Sequence, residues 1–317
     1  MASGIVRWIN DVLIEHDVLG RSVGAAARWR NFTGHHEFVD RSRGSDRLAY
    51  VLVGYKPHLW SLSLDRLSRF VSTDMDVCLV TPAVRNPALD ALAKRNGWST
   101  LWTRANYLSL AQNLAIRGHP AARFIFKFDE DIFIGRGYCE DLLSAYERIG
   151  AEGSFRPGAV APVLNVNGYS YVEFLRTRGL QDAWRERFGP LLRGAGQIPA
   201  TDDGAAARWL WENSLPFDEL CELFRHQPFA YSAVPHKFNI GAILFERDFW
   251  ERIGGFLVRP PQGALGVDET HLCTACMQLS RPVLVAHNVL AGHFAFAGQD
   301  AAMREALSTL ARQLRAG

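Results

Sequence analysis

No stretch of this 317-residue sequence is long and apolar enough to cross a bilayer. A transmembrane helix needs ~20 consecutive, mainly apolar residues, and none of the apolar runs reaches that length. A signal peptide is not expected either, because Asp11 and Glu15 interrupt the short apolar run near the start. Position 2 is Ala2, so N-myristoylation, which requires glycine there, is excluded.

The sequence also lacks a cysteine framework. There are 5 cysteines, an odd number without regular spacing, whereas disulfide-stapled secreted domains normally have an even number. Cys273 and Cys276 form a Cys-x-x-Cys pair, but no second pair completes a zinc site and the segment has a helical pattern. We therefore expect these thiols to pack in the interior and the protein to work in a reducing, cytoplasmic setting.

Charge of one sign is not in excess. The sequence has 35 Lys and Arg against 33 Asp and Glu, a formal net charge of +2. Neither a nucleic acid nor an acidic membrane is therefore an expected partner. With 48% hydrophobic residues, the composition fits one large globular domain or two small ones.

Residues 1–46 are predicted to form an N-terminal helix and a loop. The polar face of the helix is mixed rather than basic, which favours packing on the domain over membrane binding. Its apolar face is predicted to contain Ile5, Trp8, Ile9, Val12 and Leu13. Residues 31–46 are polar and predicted to be loop, so the main domain is predicted to cover 47–317.

Apolar strands alternate with helices in the first half of the main domain. The first strand, 48–55, is a continuous apolar run, as expected when both faces of a parallel sheet are buried. Three further strands are predicted at 76–82, 98–103 and 124–128. The helices between them have apolar residues at helical spacing and cover 58–72, 86–97 and 106–120. This order predicts an α/β fold, with a mostly parallel sheet flanked by helices.

The main domain is predicted to have three parts. Residues 47–164 form the strand–helix half, and residues 165–235 are a helical insertion rich in Trp, Phe and Arg. The apolar strand pattern resumes in 236–317 and ends in a helix. Aromatic rings in the insertion could stack on sugars, or they could simply pack helices together; the candidates are Tyr169, Tyr171, Trp184, Trp209 and Trp211, with Arg185 as a charged neighbour.

Three acids end the fourth strand, in the segment "RFIFKFDEDIFIGRG" (123–137). Ligands bind parallel sheets at the carboxyl ends of their strands, and two carboxylates one residue apart can hold Mg²⁺ or Mn²⁺. Asp129, Glu130 and Asp131 are therefore predicted to form a site, although an exposed acidic turn is the alternative. An EF-hand is excluded, because Ile134 stands where that loop requires glycine.

Several segments together resemble the GT-A glycosyltransferases, near their large family-two-like group of nucleotide-sugar enzymes. The first strand ending at "VGYKP", the helix "ANYLSLAQNLAI" and the strand "FIFKFDEDIFI" resemble the nucleotide-binding half. Later segments resemble the sugar-binding half, and they are "NIGAILFERDFWERIGGF" (239–256), "GVDETHL" (266–272) and "VLAGHF" (289–294). The resemblance covers 48–164 and 236–295, and it implies a GT-A (Rossmann-like) fold.

The resemblance implies a divalent cation, Mn²⁺ or Mg²⁺. Asp131 would be a direct ligand, and Asp129 would bind the ribose hydroxyls or a water on the metal. His293 would complete the site as a neutral imidazole, with its second nitrogen bound to a protein partner. His287 is the rival histidine.

The resemblance also implies a general base and a nucleotide-sugar donor. An acceptor hydroxyl is a poor nucleophile, so a carboxylate must take its proton. Glu269 or the adjacent Asp268 is expected to do so, with inversion at the anomeric carbon. A UDP-sugar is the expected donor, and the residues expected to bind it, besides Asp129, are Val53, Gly54, Tyr55, Thr81, Asn106, Gln112, Glu130, Asn239 and Gly241.

Two other functions fit parts of the pattern. A nucleotidyltransferase uses a similar sheet, but it normally has a Gly-rich loop near the first strand, and "VLVGYKPHLW" lacks one. A non-catalytic sugar-binding relative is the second alternative. The acceptor class stays open between a glycan, a lipid-linked glycan and a small molecule, and the first and last helices could form a homodimer interface.

Overall fold

The computed structural model describes residues 29–259 and 261–315. The predicted N-terminal amphipathic helix, with Ile5, Trp8, Ile9, Val12 and Leu13, lies outside the described residues. Within them, no helix is both long and apolar enough to span a membrane. All five cysteines are buried and unpaired, as expected for packing residues.

A ten-stranded sheet forms the centre of the protein. The strands are β1 (His36–Val39), β2 (Arg47–Leu52), β3 (Asp76–Pro82), β4 (Ser99–Thr103), β5 (Phe124–Asp129), β6 (Ile132–Ile134), β7 (Ala159–Leu164), β8 (Tyr231–Ala233), β9 (Ala242–Glu246) and β10 (Val283–His293). Their order is β1-β4-β3-β2-β5-β9-β7-β10-β6, and β8 pairs with β10. The block β4-β3-β2-β5 and the pair β7–β10 are parallel, whereas β9 runs antiparallel between β5 and β7.

Helices cover the sheet and form the insertion. In the first half they are α1 (Trp60–Phe70), α2 (Pro87–Asn96), α3 (Leu108–Gly118) and α4 (Tyr138–Glu152). In the insertion they are α5 (Tyr171–Arg178), α6 (Gln181–Phe188), α7 (Pro199–Asp202), α8 (Gly204–Glu212) and α9 (Phe217–Arg225). The last three are α10 (Arg247–Arg252), α11 (Val267–Gln278) and α12 (Asp300–Leu314), with a 3₁₀ turn at Ala297–Gln299.

The predicted α/β class is confirmed, and so is the helical insertion. Side chains of successive strand residues point to opposite faces of a sheet, and both faces of β5 are apolar. Ile125 belongs to the core cluster on one face, whereas Phe124, Phe126 and Phe128 belong to the other. The mostly parallel sheet, its flanking helices and the helical insertion are the arrangement that the sequence predicted.

The predicted loop at 31–46 contains a strand. β1 pairs antiparallel with β4 at the edge of the sheet, with His36 opposite Thr103. The loop prediction was wrong because His36 and Glu37 are exposed, so this edge strand shows no apolar run. The boundary at Arg47 therefore does not separate the sheet from what precedes it.

The aromatic residues of the insertion are mainly core residues. Trp184 is fully buried between Tyr171, Phe188 and Trp209. Trp211 is fully buried too, and its indole donates to the carbonyls of the chain at 293 and 294. These contacts favour helix packing over sugar stacking as the role of the insertion's rings.

The C-terminal helix α12 packs on its own domain. Its apolar face covers the core, because Met303, Leu310 and Leu314 are buried and Leu307 packs partly against the same core. This face is therefore not free to form the dimer interface considered above. Residues before 29 are outside the description, so a homodimer stays a prediction without a described surface.

Candidate active site

The three acids after β5 point to three different sets of partners. The turn from Asp129 to Asp131 joins β5 to the short strand β6, which returns antiparallel beside β10. Asp129 N–H donates to the carbonyl of Gly241 at 2.8 Å, and Phe294 N–H donates to the carbonyl of Asp131 at 3.0 Å. These two bonds fix the turn between β9 and the end of β10, where ligands of such sheets bind.

Glu130 holds the loop between β2 and α1. Its carboxylate accepts hydrogen bonds from Gly54 N–H at 3.1 Å, Tyr55 N–H at 2.8 Å and the indole of Trp60 at 2.6 Å. The hydroxyl of Ser63 donates to its carbonyl at 2.6 Å. Glu130 is 6% exposed and both carboxylate oxygens are engaged by the protein, so we assign it to the loop rather than to the donor, which revises its predicted role.

We expect Glu130→Gln to lower the free energy of unfolding by about 2 kcal/mol, because the carboxamide presents an NH₂ group to protein donors. The affinity for nucleotide should fall as well, since the loop 54–60 loses its anchor. Urea unfolding measures the first effect, with the exposed Glu305→Gln as the matched control. A loss of nucleotide affinity with unchanged stability would show that Glu130 contacts the donor itself.

Asp131 is buried beside two cationic or basic groups. Its Oδ2 lies 2.5 Å from Lys56 Nζ and 3.5 Å from His293 Nε2, and its side chain is 3% exposed. Burial raises the pKa of the Asp131 carboxyl, but the neighbouring His293 and Lys56 outweigh this and hold the pKa well below its usual range. Asp131 is therefore a carboxylate at neutral pH.

His293 faces Asp131 through Nε2. Its Nδ1 lies 2.8 Å from the carbonyl oxygen of Val166, which can only accept, so Nδ1 carries the proton in the neutral ring. In that neutral form Nε2 presents an unshared pair to the Asp131 carboxylate, whereas in the imidazolium form it donates a proton to it. Two acceptors that face each other need a cation or a proton between them, and a neutral imidazole with a backbone partner on its other nitrogen is a common metal ligand.

His287 has other partners. Its Nε2 lies 2.9 Å from the hydroxyl of Ser232, and its Nδ1 lies 3.9 Å from Glu173. These contacts place the ring beside β8 and the insertion, whereas His293 is in contact with Asp131. Of the two candidate histidines, the geometry favours His293.

Asp129 lies apart from the pair of Asp131 and His293. Its Oδ1 accepts from the buried Lys127 at 2.6 Å, and a methyl group on Gly241 would lie 3.3 Å from its Oδ2. Burial raises the pKa of Asp129 to about 6; the charges of Asp131 and Asp268 add to this, and Lys127 opposes it. Within residues 29–259 and 261–315, no three His, Cys, Asp or Glu side chains converge on one metal position.

The residues present fit a cation that is shared with a ligand. Mg²⁺ is often held by one or two carboxylates together with substrate phosphates, rather than by a complete protein cage. Asp131 and His293 supply two converging donors of that kind. Asp129 as a direct ligand is not supported by its position, and a role toward the ribose hydroxyls stays a prediction.

The predicted base lies at the start of α11. Glu269 Oε1 is 2.7 Å from Lys237 Nζ, and Asn239 Nδ2 lies 3.3 and 3.4 Å from its two oxygens. The Glu269 side chain is 14% exposed. A carboxylate that these two donors orient and that keeps part of its surface exposed has the position that a general base requires.

Asp268 is held in the interior by a chain of hydrogen bonds. Gln112 Nε2 donates to Asp268 Oδ2 at 2.8 Å, and the hydroxyl of Tyr50 donates to Gln112 Oε1 at 2.8 Å. Tyr50 and Gln112 are fully buried, and Asp268 is 5% exposed. Burial, with the charges of Asp268 and Asp129, raises the pKa of Tyr50 well above its usual range, so the phenol keeps its proton.

Gln112 therefore cannot contact a donor, which corrects its predicted role. It positions Asp268, and Tyr50 positions Gln112. The sequence analysis missed Tyr50, although a hydroxyl inside the apolar run "LAYVLVGY" is a polar group that needs a buried partner.

The remaining predicted donor residues fall into two groups. Tyr55 is 49% exposed, and its hydroxyl lies 2.8 Å from the carbonyl of Pro82 and 3.0 Å from Asn106 Oδ1, so Tyr55 and Asn106 meet at the open end of the sheet. Val53 is buried and bonded to β3, and the hydroxyl of Thr81 lies 3.4 Å from the carbonyl of Leu101. Val53 therefore supports the sheet, whereas Tyr55 is exposed and Asn106 and Thr81 are half-buried.

Lys56 and Lys127 are the site residues that sequence reasoning missed. Each pairs with one of the aspartates, at 2.5 Å for Lys56 with Asp131 and 2.6 Å for Lys127 with Asp129. Lys127 stands between phenylalanines in β5, so its position two residues before Asp129, on the same face of the strand, was an available signal.

No known family model matches the sequence, and no curated protein matches it either. Solved structures are similar at low identity. GalNAc-T7, in a crystal structure with UDP, GalNAc and Mn²⁺, is 10% identical with a TM-score of 0.47, and the match covers 80% of this chain and 44% of that one. S. aureus TarS 1–349 is 12% identical with a TM-score of 0.46, covering 84% and 64%. The mannosyltransferase PcManGT from Pyrobaculum calidifontis, in complex with GDP-Man and Mn²⁺, is 15% identical with a TM-score of 0.46, covering 97% and 76%.

This chain therefore spans less than two thirds of the first two proteins.

Proposed function

We propose that this protein is a metal-dependent glycosyltransferase, which moves a sugar from a nucleoside diphosphate sugar to an acceptor hydroxyl. The observation that carries the proposal is the pairing of Asp131 with His293, whose Nε2 lies 3.5 Å from Asp131 Oδ2 while its Nδ1 is held by the carbonyl of Val166. Such a pair suits Mn²⁺ or Mg²⁺ at the carboxyl end of the sheet, where this class of fold binds its ligands.

Asp131 and His293 would hold the cation, and the donor diphosphate would complete its coordination. A bound divalent cation neutralises negative charge on the leaving diphosphate. Asn165 and Val166 support this site, because Asn165 Oδ1 accepts from His293 N–H at 3.0 Å and Val166 accepts from the imidazole. These bonds orient the ring before any ligand arrives.

Glu269 would act as the general base. The acceptor hydroxyl loses its proton to Glu269 as its oxygen attacks the anomeric carbon, which gives inversion when base and diphosphate lie on opposite sides of the sugar. Asp268 is the weaker candidate, since Gln112 already uses one of its oxygens and it is 5% exposed. Asn239 would keep Glu269 oriented through the contacts at 3.3 and 3.4 Å.

Tyr55 and Asn106 would bind the nucleoside, for which we propose uridine from the family resemblance. The half-exposed ring of Tyr55 offers a face for a base. Gly54 allows the backbone to turn there, since its φ of +144° is a conformation that L side chains rarely adopt. The cytoplasmic setting, like the identity of the sugar and acceptor, belongs to the proposal.

A panel of nucleotide-sugars with Mn²⁺ tests the function. The expected result is slow release of nucleoside diphosphate by hydrolysis, most strongly from UDP-sugars, and loss of that release when EDTA is added. Exchange of pyrophosphate into UTP would instead identify a nucleotidyltransferase. Thermal stabilisation by nucleotide-sugars without any release would identify a non-catalytic binding protein.

A further inference from the structure

We propose that Lys56 competes with the divalent cation for Asp131, and that it moves to the donor diphosphate once the cation has displaced it. Lys56 thus neutralises the buried carboxylate in the metal-free protein and makes tight metal binding depend on the nucleotide. This inference rests on the proposed function, because it concerns the same cation and diphosphate.

The competition follows from the geometry of one oxygen atom. Lys56 Nζ lies 2.5 Å from Asp131 Oδ2, and the same Oδ2 is the oxygen that faces His293 Nε2 at 3.5 Å. A cation bound to Asp131 and His293 would need that oxygen and would sit next to the ammonium group. Two positive charges at such a distance repel each other strongly where the surroundings are buried.

Lys56 has the freedom to leave. Its side chain is 25% exposed, and besides Asp131 it bonds only one further group among the described residues, the carbonyl of Ala295 at 3.1 Å. The backbone of its loop stays in place, since Glu130 binds the neighbouring Gly54 and Tyr55 N–H groups. A lysine is a point charge on a flexible stem, so its ammonium group can swing while the loop does not move.

A diphosphate on the cation would offer Lys56 a new partner. Asp131 and the cation together carry a net positive charge, so the electrostatic attraction that holds the Lys56 ammonium group at Asp131 is lost. The phosphate oxygens are anionic and would bind the same cation, within reach of a side chain that starts beside Asp131. The lysine would then stabilise the leaving diphosphate as a second positive charge.

The simpler interpretation is a structural ion pair. In that case Lys56 serves only to neutralise a buried acid, and its loss would destabilise the fold without changing the preference of the site for metal or nucleotide. The two interpretations predict different metal affinities in the absence of nucleotide, which makes them separable by experiment.

Lys56→Gln is the test, with Lys94→Gln as a control that removes the same charge from an exposed position on α2. Calorimetric titration with MnCl₂ alone should show binding about tenfold tighter, or more, in Lys56→Gln than in wild type. Titration with UDP in saturating Mn²⁺ should show binding weaker by about the same factor. Lys56→Arg, which keeps a positive charge, should restore weak metal binding.

Thermal unfolding measured with and without Mn²⁺ tests the role of Lys56 without requiring any sugar transfer. Lys56→Gln should melt at a lower temperature than wild type without metal and gain more from Mn²⁺. Unchanged or weaker Mn²⁺ binding in Lys56→Gln would overturn the inference even if sugar transfer is found. Tighter Mn²⁺ binding together with weaker UDP binding would uphold it even if the panel of nucleotide-sugars gave no turnover, and tighter Mn²⁺ binding with unchanged UDP binding would overturn the move to the diphosphate. Mn²⁺ binding to neither protein would overturn both proposals.

Discussion

Asp131→Asn is expected to abolish sugar transfer and to weaken Mn²⁺-dependent nucleotide binding by about a hundredfold or more, since a charged metal ligand is lost. Asparagine keeps the shape of the side chain but removes the negative charge that faces His293 and Lys56. The Asp131 side chain is only 3% exposed, so no solvent-exposed group replaces the lost carboxylate as a ligand. The defect should therefore lie in binding as well as in rate.

Calorimetry with Mn²⁺ and UDP measures this prediction directly. Asp182→Asn is a matched control, because the side chain of Asp182 is 99% exposed on α6 and its ion pair is with Arg185, three residues later on the same helix. Because Asp131→Asn also leaves Lys56 without its carboxylate partner, the folding of the variant must be checked. Circular dichroism should show that it is folded. Nucleotide binding at the wild-type level would remove Asp131 from the proposed metal site.

Glu269→Gln should keep donor binding and lower kcat by about 10²–10⁴, the usual contribution of a general base. Glutamine preserves an oxygen that can accept from Asn239, so the local structure should persist. It cannot take a proton from the acceptor. In the proposed arrangement the diphosphate lies on the opposite side of the sugar from Glu269, so the affinity for UDP should change little.

A comparison with Asp268→Asn separates the two adjacent acids. Asp268 accepts from Gln112 in the interior, so its substitution should mainly lower the free energy of unfolding, by about 1–3 kcal/mol for a disturbed buried polar group. Steady-state kinetics with urea unfolding measures both variants. If Asp268→Asn loses transfer at full stability while Glu269→Gln retains a near wild-type kcat, the base is Asp268.

Helix ends and buried strands are features of this structure that the local sequence determines. Helix α2 is one case: Asn86 caps it by accepting from Ala88 N–H at 2.9 Å, Pro87 occupies the first turn, and Gly97 ends it with φ of +68°. The residue types at these three positions favour a cap, a first helical turn and a helix end, respectively. The capping preferences and the apolar runs of β2, β3 and β5 involve only a few consecutive residues, so they can be recognised in the sequence.

The direction of each acid in the turn could not be predicted in the same way. Period-2 alternation assigns strand residues to a face, but at Asp129–Asp131 the strand has ended. Glu130 turns to Gly54 and Trp60, and Asp131 turns to Lys56, all at least 70 positions earlier in the chain. Those partners come close only when β2 and β5 pair.

The sequence by itself therefore determined the α/β class and the strand end that bears the acids, because short-range periodicity encodes both. The other candidate residues were implied by the family resemblance. The tertiary structure alone decided that Glu130 anchors a loop, that Gln112 is buried under Asp268, and that His293 rather than His287 faces Asp131. The physical reason is that a buried charge takes the nearest available donor, and which donor is near depends on strand pairing across the whole sheet.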